Sequence, residues 1–387
     1  MYTTTYRKLF WISALVLSVV IVLVLEKKDT PPLAPDKDLL SYYTEAQSLR
    51  QDTERSVTFL AVGDISLSRN IAAVIKKKND PLYPFRKVET LLRSTDFNFG
   101  NLETPFSQSD AFTAQNTLVF NAPKANVAGL TAYNFKVLTL ANNHAYDQGL
   151  QGIQTTRNLL ADNNILTTGT GSTLDEAWTP AVYTTRGMSV GFIGASYASV
   201  NDGGKTTNTH VARIEDLQNL QSAVKNLQSK VDFIVVTMHA GTEYTASPNP
   251  DQIAFAHAAI DAGADMVIGH HPHWVQEKEW YCTGTPGTRL LPTPPTTTQS
   301  TRTSGCGWIY YSLGNFIFDQ SWSEQTKTGL ALKITLRSRT RHTPDTLLQN
   351  AGTPTSEAPF TIEIEEVPIR IVENCCAQVQ SDSFDTN

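Results

Sequence analysis

Short apolar runs that break directly into clusters of Asp, Asn, Glu and His recur along this chain, and they constrain its fold more than any other feature. Residues 57–62 run into Gly63-Asp64, and residues 96–99 into Gly100-Asn101-Leu102-Glu103. Residues 135–140 are followed by Asn142-Asn143-His144, with Asp147 and Gly149 close behind. Residues 232–238 lead to His239, Gly241, Glu243 and Tyr244, and residues 266–268 to Gly269-His270-His271-Pro272-His273. A sixth cluster, Ser312-Leu313-Gly314-Asn315, runs on to Asp319. Runs this short suit strands, and the helix-like segments between them make the pattern one of βα units around a mainly buried sheet. In such sheets ligand sites form outside the carboxyl ends of the strands. Five of the eight histidines fall in three of these junctions.

Further strands are expected at 189–194, 275–281, 308–312, 330–336 and 360–372, the last four with the alternation of antiparallel strands. Helices are expected at 86–93, 151–162, 214–227 and 251–262. Asp162-Asn163-Asn164 and Gly263 are plausible stops. Loops are expected at 283–305 and 337–359, both rich in Thr and Pro, and a flexible tail over 374–387. The chain contains no internal repeat, no G-x-G-x-x-G and no Walker A loop. A net charge of −6 without a Lys/Arg run argues against a nucleic-acid partner.

Residues 9–25 are uncharged and almost wholly aliphatic, with Arg7 and Lys8 before them and Glu26, Lys27 and Lys28 after. That reads as a single transmembrane anchor behind a tail of residues 1–8, at the short end of what spans a bilayer. The competing reading is a cleaved signal peptide, but no small-x-small site follows. Residues 26–55 read as a stalk, and 56–373 as the folded domain. Cys282 and Cys306 flank the 283–305 insertion, so a disulfide at its neck is expected, worth about 3–4 kcal/mol by chain entropy. Such a bond places the domain on the extracytoplasmic side of the cell membrane. The adjacent Cys375 and Cys376 are left unassigned.

Taken singly, most clusters have ordinary explanations: Asp64 as a helix cap, the asparagines as turn residues, His239 as a satisfied core histidine. Six in one chain point to one shared site. Carboxylates, amide oxygens and imidazoles together suit Mn²⁺, Fe²⁺ or Zn²⁺, as one ion or two.

In this order the clusters resemble the CapA family of capsule-synthesis proteins linked to poly-γ-glutamate. The resemblance runs from about residue 57 to 372 and rests on Val62-Gly63-Asp64, Asn101-Leu102-Glu103 and Ala141-Asn142-Asn143-His144. It also rests on His239-x-Gly241-x-Glu243-Tyr244, Gly269-x-His271-Pro272-His273 and Ser312-Leu313-Gly314-Asn315 through Asp319-Gln320. CapA domains look like relatives of the calcineurin-type metallophosphoesterases. The resemblance implies an α/β fold, a four-layer sandwich of two mixed sheets flanked by helices. It implies metal ligation by Asp64, Asn101, Glu103, Asn143, His239, His271 and His273, with His144 and Asp64 catalytic. Asn142, Glu243, Tyr244, His270, Asn315 and Asp319 would contact substrate. Two departures stand out: Ser66 replaces the histidine of the first phosphoesterase motif, and Asn101 replaces a bridging aspartate, with Glu103 two residues on. The implied function is a membrane-anchored, metal-dependent hydrolase of capsule-polymer assembly, using a metal-bound water on an amide or phosphoester. Its partners would be an anionic polymer such as poly-γ-glutamate and other capsule-synthesis membrane proteins. The alternative is a non-catalytic polymer-binding or export scaffold.

Overall fold

Side-chain alternation along the strands sets the architecture. The computed structural model describes residues 54–113, 117–198, 209–284, 298–300, 305–339 and 360–380. β1 (Glu54–Ile65) sends Val57, Phe59 and Ala61 into one core and Leu60 and Val62 into another. Successive strand residues point to opposite faces, so an apolar run fills the cores on both sides of its sheet at once.

The first sheet holds β1, β2 (Phe97–Leu102), β3 (Phe135–Thr139) and β4 (Leu166–Thr168), all parallel. The second holds β5 (Ala181–Thr185), β6 (Met188–Ser196), β7 (Phe233–His239), β8 (Met266–His270), β9 (Lys278–Cys282) and β11 (Cys306–Tyr310) in the order β5-β6-β7-β8-β11-β9. Its inner four strands are parallel and both edge strands antiparallel. The first sheet continues past β1 through antiparallel β13 (Thr328–Arg339) and β14 (Phe360–Val372). β10 (Thr298–Ser300) and β15 (Cys376–Val379) pair with β14, and β12 (Asn315–Ile317) lies parallel to the end of β1.

The sheets face each other across a core that includes Phe59, Phe97, Phe99, Phe192, Phe233, Ile268, Trp308, Leu332 and Ile334. Helix α1 (Arg69–Lys78) covers the outside of the first sheet with Ile71 and Ile75. α2 (Gly149–Asp162) adds Leu160 to the same core. α3 (Leu217–Gln228) and α4 (Pro250–Asp261) cover the second sheet with Leu220, Val224 and Leu227 and with Phe255, Ala259 and Ile260. Their starts are encoded locally. Asp216 accepts from Asn219 N, and Asn249 with Gln252 forms a capping box with Pro250 in the first turn. The result is the expected pair of mixed sheets between helical layers.

Several local expectations need correction. The helix expected over 86–93 is a 3₁₀ segment, Tyr83–Val88, followed by a single α turn, Glu89–Leu92. α1 lies outside the expected helices, and β4 and β5 are short, half-exposed strands with weak apolar patterning. The 283–305 insertion contributes β10 to the first sheet. Of the tail expected to be flexible over 374–387, Cys376–Val379 instead folds back as β15, because bonded Cys375 and Cys376 and the adjacent Ala377 are all buried against the sheet, while residues 381–387 lie outside the described residues. Cys282 and Cys306 are bonded as expected, at directly paired positions of β9 and β11. The tail, anchor and stalk expected over residues 1–8, 9–25 and 26–55 lie almost wholly outside the described residues. Among those described, no helix is long and apolar enough to cross a membrane.

One close approach holds the end of β1 in place. A Cβ on Gly63 would stand 2.0 Å from the Gly314 carbonyl oxygen, next to the hydrogen bond that Asp64 N donates to that same oxygen at 3.0 Å. Gly63→Ala is therefore expected to destabilise the protein by about 1–3 kcal/mol through overpacking. Denaturant unfolding checks this, and an unchanged midpoint would mean that the loop after β11 gives way freely.

Candidate metal centre

The parallel strands of both sheets point their carboxyl ends to the same side, and the polar clusters meet there. Asp64 is the penultimate residue of β1 and is fully buried. Its Oδ1 accepts from Asn101 Nδ2 at 2.8 Å and lies 3.3 Å from His270 Nδ1. Its Oδ2 accepts from the His271 backbone N at 3.3 Å and lies 3.4 Å from His273 Nδ1. Asn101 Nδ2 also meets His239 Nδ1 at 3.1 Å, so β1 and β2 of one sheet are tied to β7 and β8 of the other.

Glu103, just past β2, is the hub. Its Oε1 lies 3.8 Å from His144 Nε2, 3.9 Å from His239 Nε2 and 3.9 Å from His273 Nε2. These distances are too long for hydrogen bonds. Both carboxylate oxygens of Glu103 are buried without a hydrogen-bond partner. Leaving a buried carboxylate unpaired is strongly unfavourable, whereas groups that share a metal ion ~2.1 Å from each of them stand about this far apart. Ligand atoms of Asp64, Glu103 and His273 all lie within 4.8 Å of one another. Asn143 Oδ1 sits 2.8 Å from His239 Nε2 at the side of this group. The donor set fits a divalent cation of the Mn²⁺, Fe²⁺ or Zn²⁺ kind.

The surrounding contacts hold these groups still. His144 directs Nδ1 to Asp147 at 2.7 Å, which leaves Nε2 facing Glu103, and its backbone N donates to Asn142 Oδ1 at 3.1 Å. The Phe120 ring stacks on His144 at 3.7 Å between centroids. Asn315 Oδ1 takes His273 Nδ1 at 2.9 Å. His271 and His273 both have positive φ, 99° and 57°, which for non-glycine residues is a strained conformation that the surrounding structure has to enforce.

A family model described as bacterial capsule synthesis protein PGA_cap matches residues 58–320. The chain belongs to that family. The PGA biosynthesis protein CapA of Bacillus subtilis is 32% identical over 272 residues, covering 70% of this chain and 65% of that protein. The capsule biosynthesis protein CapA of Bacillus anthracis is 29% identical over 306 residues, covering 76% of this chain and 67% of that protein. The chain thus spans about two thirds of the length of these relatives. Among solved structures, the calcineurin-like phosphoesterase YfkN of B. subtilis aligns with a TM-score of 0.37 at 12% identity, over 80% of this chain and 91% of that one.

Within this PGA_cap domain, several residues take roles other than those expected. Asn101 is held as a strut: Nδ2 serves Asp64 and His239, and Oδ1 accepts from Asn142 Nδ2 at 3.1 Å. The expected substrate contacts Asn142, His270, Asn315 and Asp319 are also turned inward. Asn142 binds Asn101, the Leu102 carbonyl and the backbone of His144. His270 is fully buried beside Asp64 and Phe99. Asn315 orients His273, and Asp319 pairs with Arg69. Of that group, Glu243 and Tyr244 remain at the mouth, with Tyr244 packed edge-to-face on exposed Trp322 at 4.7 Å. His271 packs between Tyr197 and His239, 4.7 Å from each ring, and lies beside the Asp64–Glu103–His273 group. Ser66 contributes no ligand, since its hydroxyl accepts from Thr104 Oγ1 at 2.9 Å. Phe120 and Tyr197 join the site without having been assigned to it from sequence, and Asp147, already in the Asn142-Asn143-His144 cluster, gains a role there. Asp147 carries a local signal, three residues after His144, but Phe120 and Tyr197 arrive from loops with none.

Burial works against the Asp64 charge, but His270 and His273 outweigh it and hold the carboxyl well below the usual range. Glu103 goes the other way: burial, then the charges of Asp64 and Glu243, push it well above that range. Burial, reinforced by His271, pushes His239 well down, and burial with His273 pushes His271 down to about 3, so both stay neutral and able to ligate. A raised folded pKa at Glu103 means the unfolded chain gives up that proton first. Its burial therefore lowers stability as pH rises from the ordinary carboxylate range through the raised value. Glu103→Gln is expected to raise the melting temperature of chelator-treated protein at pH 7 by several degrees. The gain should vanish below about pH 4, where the carboxyl is protonated in both states. The variant should also lose stabilisation by added Mn²⁺ or Zn²⁺. Thermal scans across pH, with chelator and with metal, test all three; a variant less stable than wild type in chelator at pH 7 would contradict the assignment.

Proposed function

We propose that this PGA_cap protein is a metal-dependent hydrolase of capsule-polymer assembly, held at the cell membrane by residues 9–25 with its domain outside the cytoplasm. The observation that carries the hydrolase reading is Glu103: a buried, unpartnered carboxylate ringed by His144, His239 and His273 and set beside Asp64. Asp64, Glu103 and His273 would hold the cation, with Asn143 and His239 alongside. A divalent ion there supplies Lewis acidity that polarises a carbonyl or phosphoryl oxygen and acidifies water. His144 handles the leaving group. Asp147 fixes its ring through Nδ1 and supports its positive charge, so a proton at Nε2 is delivered to the departing amine or alkoxide. Phe120 covers one face of that imidazole and keeps water off it.

The two disulfides support an oxidising location. The Bacillus relatives, a PGA biosynthesis protein and a capsule biosynthesis protein, support poly-γ-glutamate as the polymer, and other capsule-synthesis membrane proteins would be the partners. One observation favours the second reading, a non-catalytic polymer-binding scaffold: the first motif offers buried Ser66 where a further ligand would strengthen the site.

Metal analysis of the full-length chain, with assays of γ-glutamyl amide and phosphodiester cleavage, decides between them. His144→Ala is expected to keep its metal and lose about 10²–10⁴-fold in kcat. His273→Ala should lose metal and activity together. A wild-type chain that binds polymer but takes up neither Mn²⁺ nor Zn²⁺ establishes the scaffold reading.

A further inference from the structure

The centre is crowded with acid. Asp64, Glu103 and Asp319 are buried in it, and exposed Glu243 stands at its mouth. A cation held there answers the acids that bind it, but the carboxylates that a polyanionic chain carries beyond that point need a fixed positive group of their own. Arg69, the first residue of α1, is placed to do so. It is 9% exposed, and its φ of 47° puts it in the left-handed region, which a long side chain adopts only under constraint.

The guanidinium lies 4.4 Å above the Phe120 ring centroid and 5.6 Å from that of Phe318. Those same rings pack on the site, Phe120 on His144 at 3.7 Å and Phe318 on His273 at 4.9 Å. Nη2 pairs with Asp319 Oδ1, while Asp319 Oδ2 accepts from Asn70 N at 3.2 Å. The carboxylate thus meets one nitrogen of the fork rather than two. Nε is buried and has no hydrogen-bond partner. An arginine used only to hold the fold has its donors matched, most often by a bidentate carboxylate.

We propose that Arg69 is the carboxylate anchor of this site, the guanidinium donors that Asp319 does not use binding a side-chain carboxylate of a polymer segment whose linkage lies at the Asp64–Glu103–His273 group. Phe120 and Phe318 hold the cation by stacking, and Asp319 fixes its rotation through one nitrogen, which leaves other donors of the fork for a ligand. The anchor deepens the hydrolase reading and rests on it for the identity of the polymer. It is tested by binding rather than turnover, so the two can fail separately.

The probes are a γ-linked glutamate hexamer and the same hexamer with its side-chain carboxylates amidated, titrated into the full-length chain with Mn²⁺ present. Arg69→Gln is expected to weaken hexamer binding at least tenfold and to leave metal content unchanged. The amidated hexamer should bind wild type and variant alike. Arg69→Lys should keep part of the affinity, since it retains the charge without the fork. Arg69→Gln strands Asp319 as an unpaired buried charge, so the double variant R69Q/D319N, which removes the pair together, guards against a folding defect. Wild-type affinity for the hexamer in R69Q and in the double variant overturns the anchor. Binding of inorganic phosphate in place of the hexamer, lost in R69Q, overturns the carboxylate assignment. Arg69-dependent hexamer binding without cleavage confirms the anchor and refutes only the hydrolase reading.

Discussion

Asp64 lies at the point where the carboxyl edges of both sheets converge, and the site is organised around its two oxygens. One oxygen is shared by Asn101 from β2 and His270 from β8, the other by the His271 backbone and His273. A carboxylate removed from water needs donors on every side, and these come from both sheets. The same contacts that keep Asp64 charged also fix how the sheets meet. The Gly63–Gly314 approach that seats the end of β1 belongs to this arrangement, because β12 continues from there to Asn315 and its hold on His273.

Glu103 and Asp64 are two buried carboxylates brought close together and treated in opposite ways. Asp64 has its donors within the protein; Glu103 has none among the described residues. Such an asymmetry stores instability at one position, and a bound cation would relieve it. The strained backbones of His271 and His273 belong to the same picture, since donor groups held ready before a ligand arrives have to be kept there by packing. The asparagines Asn101, Asn142 and Asn315 serve that end as neutral struts that fix amide and imidazole orientation without adding charge.

Much of this could be read in the sequence because strand ends are local. An apolar run that breaks directly into Asp, Asn or His, in four cases through a glycine, marks both a strand and where it opens, and all six junctions meet at one edge. The roles within the site were harder to read. Whether Asn101 faces a cation or bridges Asp64 to His239 depends on a contact across 138 residues. Whether Asp319 faces substrate or Arg69 depends on one across 250. Neither leaves a trace in spacing. Short elements escaped for another reason. β4 and β5 are three and five residues long and half exposed, so their patterning is weak, and β15 is held by a buried pair of bonded cysteines whose sequence looks like a polar tail.

The pairing of β10 and β15 with the same side of β14 bears on how the protein behaves in company. β14 is the last long strand of its sheet, and a bare strand of thirteen residues would offer a ladder of unmet backbone groups to any extended chain nearby. β10 covers residues 360–362 and β15 covers 369–372. Among the described residues, the stretch left between them holds Pro368, which has no N–H to donate, and Glu363, Glu365 and Glu366, paired with Arg337, Lys333 and Lys278. That border offers only a short, interrupted stretch to strand addition, which limits the joining of copies edge to edge along β14.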